Sequence, residues 1–176
     1  MKAVCMVAHP DDCAIFGYQF IMEHRDWDWK ICYLTYNRTD PRGAEISKFW
    51  EKRGIATMFC GMPDIWESVQ KGELGFKSHD AEQWIRSVCD NADIILTHNK
   101  DGEYGHPHHL FINKVINFIT KPKVFFGKYP EYYNQLISTL TPPFDTSELP
   151  LHEQVIRGFD LCKWKYFITP EAQSMI

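Results

Sequence analysis

The chain has 176 residues, 44% hydrophobic and 24% charged, with 19 Lys and Arg against 23 Asp and Glu for a net charge of -4. That length is enough for one domain with a real core and no staples, and the composition excludes disordered, collagen-like and coiled-coil chains. Mild acidity without a basic tract argues against a nucleic-acid partner, and no apolar run reaches the length of a membrane span. Residues 2–8 are too short for a signal-peptide core and are cut off by Asp11 and Asp12, so a cytoplasmic protein is expected.

Short apolar runs alternate with helical periods. Residues 2–8 read as a buried strand, followed by a helix over 12–25 that turns Ile15, Phe16, Phe20 and Ile21 inward. A second strand covers 29–36, and after a loop over 37–43 comes a helix over 44–53. The third strand, 57–60, ends at Gly61 and Pro63. Residues 65–77 carry two glycines and read as an excursion before a helix over 79–89, with Ala81, Trp84, Ile85 and Val88 on one face. A fourth strand over 93–97 and a polar loop over 98–105 lead to a helix over 107–119. Pro107 suits its first turn, where a missing N–H costs nothing. A fifth strand covers 123–127. Beyond it, helices are expected over 132–140 and 151–158, separated by Thr141-Pro142-Pro143. The alternation predicts an α/β fold: a Rossmann-like three-layer sandwich with a mostly parallel sheet of order 3-2-1-4-5, in a single domain. The six cysteines form no CxxC pair; Cys5, Cys32 and Cys60 lie in or beside apolar runs and read as buried and reduced, a disulfide framework being the alternative.

In such a sheet, ligands bind outside the carboxyl ends of the strands at the switch point, here after strands one and four. Strand one is followed by Ala8-His9-Pro10-Asp11-Asp12. A dinucleotide site would have glycines there, whereas paired carboxylates at a helix start repel phosphate and attract a cation. His9 and Asp12 are three apart, a spacing that can turn both toward one ion. Strand four is followed by Gly102-Glu103-Tyr104-Gly105-His106-Pro107-His108-His109, where His106 and His109 are again three apart. One carboxylate and two imidazoles leave a fourth position open, as in catalytic zinc sites. Singly, each residue has an ordinary explanation: Asp11 or Asp12 as a helix N-cap, a histidine as solvated, the glycine-rich stretch as a surface turn. The meeting of both loops at one switch point favours the metal.

These two stretches resemble the metal-site motifs of the GlcNAc-phosphatidylinositol de-N-acetylase (LmbE-like) family, which usually read AHPDDE and HPDH. The resemblance covers residues 2–127, with 128–176 as a divergent C-terminal part of one domain spanning 1–176. It implies a zinc-dependent deacetylase, another divalent ion being an alternative, that acts on an acetylamino sugar or glycoconjugate. By position it makes His9, Asp12 and His109 the ligands and Asp11 the general base. His106 becomes the group that stabilises the tetrahedral intermediate or protonates the amine, and Tyr104 a contact to the oxyanion. Asp64 matches an aspartate that binds sugar hydroxyls; Arg38, Arg42 or Lys48 could reach the sugar.

The sequence departs from the family pattern at three places. Cys13 replaces the glutamate after the paired aspartates, either as a small core residue or as a thiol near the metal. His108 replaces the aspartate of HPDH, which leaves open whether Asp101 or Glu103 orients His106 and whether His108 is itself a ligand. The family's Arg-x-x-Glu on the helix after strand two has no counterpart within 44–50. Alternative functions are hydrolysis of a non-sugar amide or ester, and saccharide or metal binding without turnover. Substrate choice is expected to lie in 65–77 and in the C-terminal part; the oligomeric state is open, a homo-oligomer included.

Overall fold

The computed structural model describes residues 1–127, 144–152 and 166–176. The helices expected over 132–140 and, past its first two residues, 151–158 lie outside the described residues, as does the break at 141–143.

Six strands, β1 (Lys2–Val7), β2 (Asp28–Thr35), β3 (Ala56–Met62), β4 (Ile94–Thr97), β5 (Lys123–Phe126) and β6 (Tyr166–Ile168), form one sheet ordered β3-β2-β1-β4-β5-β6. The first five are parallel, in the predicted order. β6 is an unforeseen addition, antiparallel to β5 at the edge. Its three residues are half-buried, exposed and half-buried, and the run Tyr166-Phe167-Ile168 is shorter than a strand covered on both faces.

β1 is buried from Ala3 onward, as a strand covered on both faces must be. Alternate side chains feed two separate cores. Ala3, Cys5 and Val7 pack with Phe16, Ile21, Phe49 and Trp50; Val4, Met6 and Ala8 pack with Ile85, Ile112 and Ile116. The segment ending in α1 (Tyr18–Glu23), together with α2 (Pro41–Glu51), therefore covers one face. After the short α3 (Trp66–Val69) within the excursion, α4 (Ser78–Cys89) covers the other face together with the helix that follows β4. The result is the expected three-layer sandwich. No helix of the described residues is long and apolar enough to cross a membrane.

Two helix starts differ from expectation. Over 12–25 a π-helical turn (Cys13–Gly17) precedes α1. Phe20 N–H donates to the Tyr166 hydroxyl (3.3 Å), which donates to the Phe16 carbonyl (3.0 Å), so a side chain sits between two groups that an α-helix would pair directly. α2 begins at Pro41 rather than 44. Proline and glycine read as loop residues, but a proline at the first helical position gives up only an N–H that the first turn leaves unpaired. Arg42-Gly43-Ala44-Glu45 thus lies in the first turns of α2, and the Arg-x-x-Glu spacing expected to be missing is present.

Candidate metal centre

β1 and β4 are direct neighbours, with Ala3 opposite Ile94 and Met6 opposite Thr97, so the turns after them open at the same end of the sheet. Thr35 fixes the end of β1 by donating both its N–H (3.0 Å) and its hydroxyl (2.8 Å) to the Ala8 carbonyl. Beyond it, Asp12 Oδ2 accepts the His9 N–H at 2.7 Å, which folds 9–12 into a tight turn. That same oxygen lies 3.2 Å from His9 Nδ1 and 3.3 Å from His109 Nε2, and the two ring nitrogens are 3.3 Å apart. A tetrahedral ion with bonds of about 2.0–2.1 Å separates its ligand atoms by about 3.3–3.4 Å. The donor set and its spacing therefore fit a zinc-like ion.

All three residues are buried. Burial alone would raise the Asp12 carboxyl, but the imidazoles of His109 and His9 outweigh it and hold it well below the usual carboxylate range. His109, for its part, is raised by Asp12 in spite of burial. The centre thus calls for a positive charge, which a proton or a metal can supply, and metal binding would release the proton.

The ring of His109 is aimed from behind. α5 (Gly102–Gly105) is a single irregular turn in which Glu103 takes φ 57°, a strained conformation for a residue with a side chain. It carries the wholly buried Glu103 carboxylate between two imidazoles: Oε2 lies 2.7 Å from His98 Nδ1 and 2.8 Å from His109 Nδ1, while Oε1 accepts the Asn99 N–H at 2.9 Å. Burial would raise Glu103, but His98 and His109 bring it below its ordinary value. As a carboxylate it can only accept, so His109 carries a proton on Nδ1 and turns Nε2 to the centre. His98 is treated alike: the Ala8 N–H points at its Nε2 (3.1 Å), leaving its proton on Nδ1 for Glu103. The sequence offers Glu103 only as a partner for His106 and assigns no role to His98, although a histidine directly after a buried strand at the switch point is a signal.

α6 (Pro107–Asn117) starts behind His106, whose Nδ1 accepts the His108 N–H at 3.3 Å. Burial, and then His9 and His109, push the His106 pKa down to about 2. It is a neutral ring with its N–H at Nε2. The Tyr104 ring lies beside it, 6.0 Å from His106 and 5.3 Å from His109 between centroids. Asp11 is buried at the rim and pairs with Arg42 Nη2 (3.1 Å). Arg42 Nη1 donates to the Tyr36 hydroxyl (3.0 Å), which donates to Asp64 Oδ2 (3.3 Å), so these four residues line one side of the centre. Tyr36, at φ 63° just past β2, was not foreseen. Arg38 is not brought to the centre: it is exposed and pairs with Glu51 on the outer side of α2. Cys13 faces the core, with its Sγ 3.4 Å from that of Cys5, and burial pushes its thiol pKa well up. Cys5, Cys13, Cys32, Cys60 and Cys89 are all free thiols.

A mostly parallel α/β sheet with a His–Asp–His cluster at its switch point defines a class of candidate metal enzymes, and comparison with known proteins narrows it. No family model matches the sequence. The chain is 28% identical over 156 residues to an uncharacterized protein of Acanthamoeba polyphaga mimivirus, covering 78% of this chain and 63% of that one. It is 29% identical over 80 residues to a 1D-myo-inositol 2-acetamido-2-deoxy-alpha-D-glucopyranoside deacetylase of Segniliparus rotundus, covering 43% of this chain and 25% of that one. In both cases the match spans less than two thirds of the relative's length.

Solved structures share the fold at low identity. A deacetylase of teicoplanin biosynthesis superposes with a TM-score of 0.57 at 14% identity over 91% of this chain and 84% of its own. N,N'-diacetylchitobiose deacetylase from Pyrococcus horikoshii gives 0.52 at 15% over 92% and 71%. A 4-carboxy-2-hydroxymuconate hydratase from Pseudomonas putida gives 0.56 at 14% over 90% and 78%, so the fold alone does not fix the reaction. The resemblance to LmbE-like deacetylases read from the two motifs is borne out by these likenesses.

Proposed function

We propose that the chain is a metal-dependent N-deacetylase of an acetylamino sugar or sugar conjugate, with His9, Asp12 and His109 holding the ion and zinc the best match. The observation that carries this reading is the triangle of three buried donor atoms spaced 3.2–3.3 Å apart. A zinc ion held by these three residues would lower the pKa of bound water to about 7 and polarise the amide carbonyl.

The chain's own residues supply the rest. Asp11 Oδ2 is occupied by Arg42, which leaves Oδ1 to take the water proton and return it to the departing amine. General-base catalysis of this kind is worth about 10²–10⁴-fold. His106, neutral and donating from Nε2, suits the carbonyl oxygen as negative charge develops on it, and Tyr104 is a second donor to the same oxygen. Glu103 keeps His109 in the ligating tautomer. Arg42 and Asp64, linked through Tyr36, offer a charged donor and an acceptor to sugar hydroxyls. The whole chain acts as one domain, with substrate choice in 65–77 and in the part beyond 127.

The test combines metal analysis of the purified protein with acetate release from a panel of N-acetylglucosamine conjugates. Turnover that a chelator abolishes and Asp11→Asn lowers about 10²–10⁴-fold supports the reading. A stoichiometric metal with saccharide affinity but no acetate from any conjugate would replace it with a binding role, and turnover confined to non-sugar amides or esters would move the substrate class.

A further inference from the structure

His108 is buried and is neither a ligand nor a base in the reading above. Its ring is held at both nitrogens. Nε2 lies 2.9 Å from the carbonyl oxygen of Leu74, in the excursion between β3 and α4. Nδ1 lies 3.1 Å from His9 Nε2. A carbonyl oxygen can only accept, so His108 carries its proton on Nε2, and the neutral ring is left with a bare lone pair on Nδ1. That lone pair can only accept, so His9 carries its proton on Nε2. Asp64 Oδ1, 3.8 Å from each of the two facing nitrogens, is too far to take over either bond. In the neutral ring His9 Nδ1 is then bare, and it is the atom that faces Asp12 and His109.

We propose that His108 is a positioning residue: through the chain Leu74 C=O, His108, His9 it selects the tautomer in which His9 presents Nδ1 to the metal, and it ties the 65–77 segment to the centre. The same segment packs against this ring through Phe76, with centroids 5.3 Å apart and the planes tilted by 39°, and carries Trp66, 65% exposed. A ligand that displaces Leu74 therefore alters the metal centre without touching it. The zinc readout rests on the proposed metal site; the tautomer readout does not.

Two nearly isosteric variants separate the two links. In His108→Asn the amide oxygen can still accept from His9, but the side chain is too short to reach Leu74. In His108→Gln the amide nitrogen reaches Leu74 and the acceptor toward His9 is lost. Long-range proton–nitrogen spectra of imidazole-labelled, metal-free protein read the tautomers directly, zinc titration reads the affinity, and hydrogen exchange reads residues 65–77. The expected wild-type result is His9 with its proton on Nε2. His108→Gln should mix the His9 tautomers and weaken zinc binding about 10–100-fold, with exchange in 65–77 unchanged. His108→Asn should keep the tautomer and the zinc affinity while exchange in 65–77 speeds up. Wild-type His9 protonated on Nδ1, or a His108→Gln protein with unchanged tautomer, overturns the proposal. Failure of wild-type protein to bind zinc, with the tautomers as expected, would instead sink the metal reading.

Discussion

The turn after β1 and the turn after β4 deliver side chains to one point by different means. Residues 9–12 form the turn through their own side chains: Asp12 faces the centre and also caps the His9 N–H, so proposed ligand and scaffold are one group. Residues 98–109 separate the two jobs. There His109 faces the centre, and a buried carboxylate behind it, held on a strained backbone, fixes its ring. A four-residue turn can be stiff by itself, whereas a longer one needs an internal post. The first turn should therefore fail all at once when a ligand is changed, and the second by degrees, according to how far behind the ligand the change lies.

The largest effects are expected in the first turn. Asp12→Ala should remove both metal binding and acetate release, and Asp11→Asn should lower kcat about 10²–10⁴-fold while zinc still binds. Equal zinc loss in both variants would break the assignment of separate roles. Next comes Glu103→Gln. An amide in that position must oppose its NH₂ to one of the three donors that the carboxylate accepts, so zinc affinity should fall about 10–100-fold without vanishing. An unchanged affinity would mean that His109 needs no support. Arg42→Met should then cut kcat/KM about tenfold, or about 1.4 kcal/mol, mainly through KM; a change confined to kcat would place Arg42 with the base and not with the substrate. Arg38→Ala should leave turnover unchanged and shift stability by less than about 0.5 kcal/mol, since exposed ion pairs contribute little.

Much of this was legible in the sequence for a physical reason: central parallel strands are covered on both faces and must read as apolar runs, so β1, β2 and β4 and their order could be anticipated, and with them the switch point. What failed to show depended on contacts from distant residues. β6 is an edge strand with Phe167 turned to solvent, and its role in the first helix rests on one hydroxyl, that of Tyr166. Glu103 looked like a turn residue because nothing in its neighbourhood signals burial; only the fold sets two imidazoles against it. His152, wholly buried and bonded to Glu45, lies after a proline-rich stretch that gave no hint of it. Arg42 is a candidate from the sequence, but its Arg-x-x-Glu spacing shows only once α2 starts at Pro41, three residues before the expected 44.

Gly43 stands in the middle of that motif. A Cβ there would sit 2.0 Å from the Asn37 carbonyl oxygen, so the first turn of α2 rests directly on the backbone of the preceding loop. The mount that carries Arg42 is thus set by main chain against main chain, and it owes nothing to the identity of residue 42. Under the proposed function such an arrangement would be easy to retune: an exchange at residue 42 would alter the preference among substrates, while the ledge that presents it to Asp11 stays where it is.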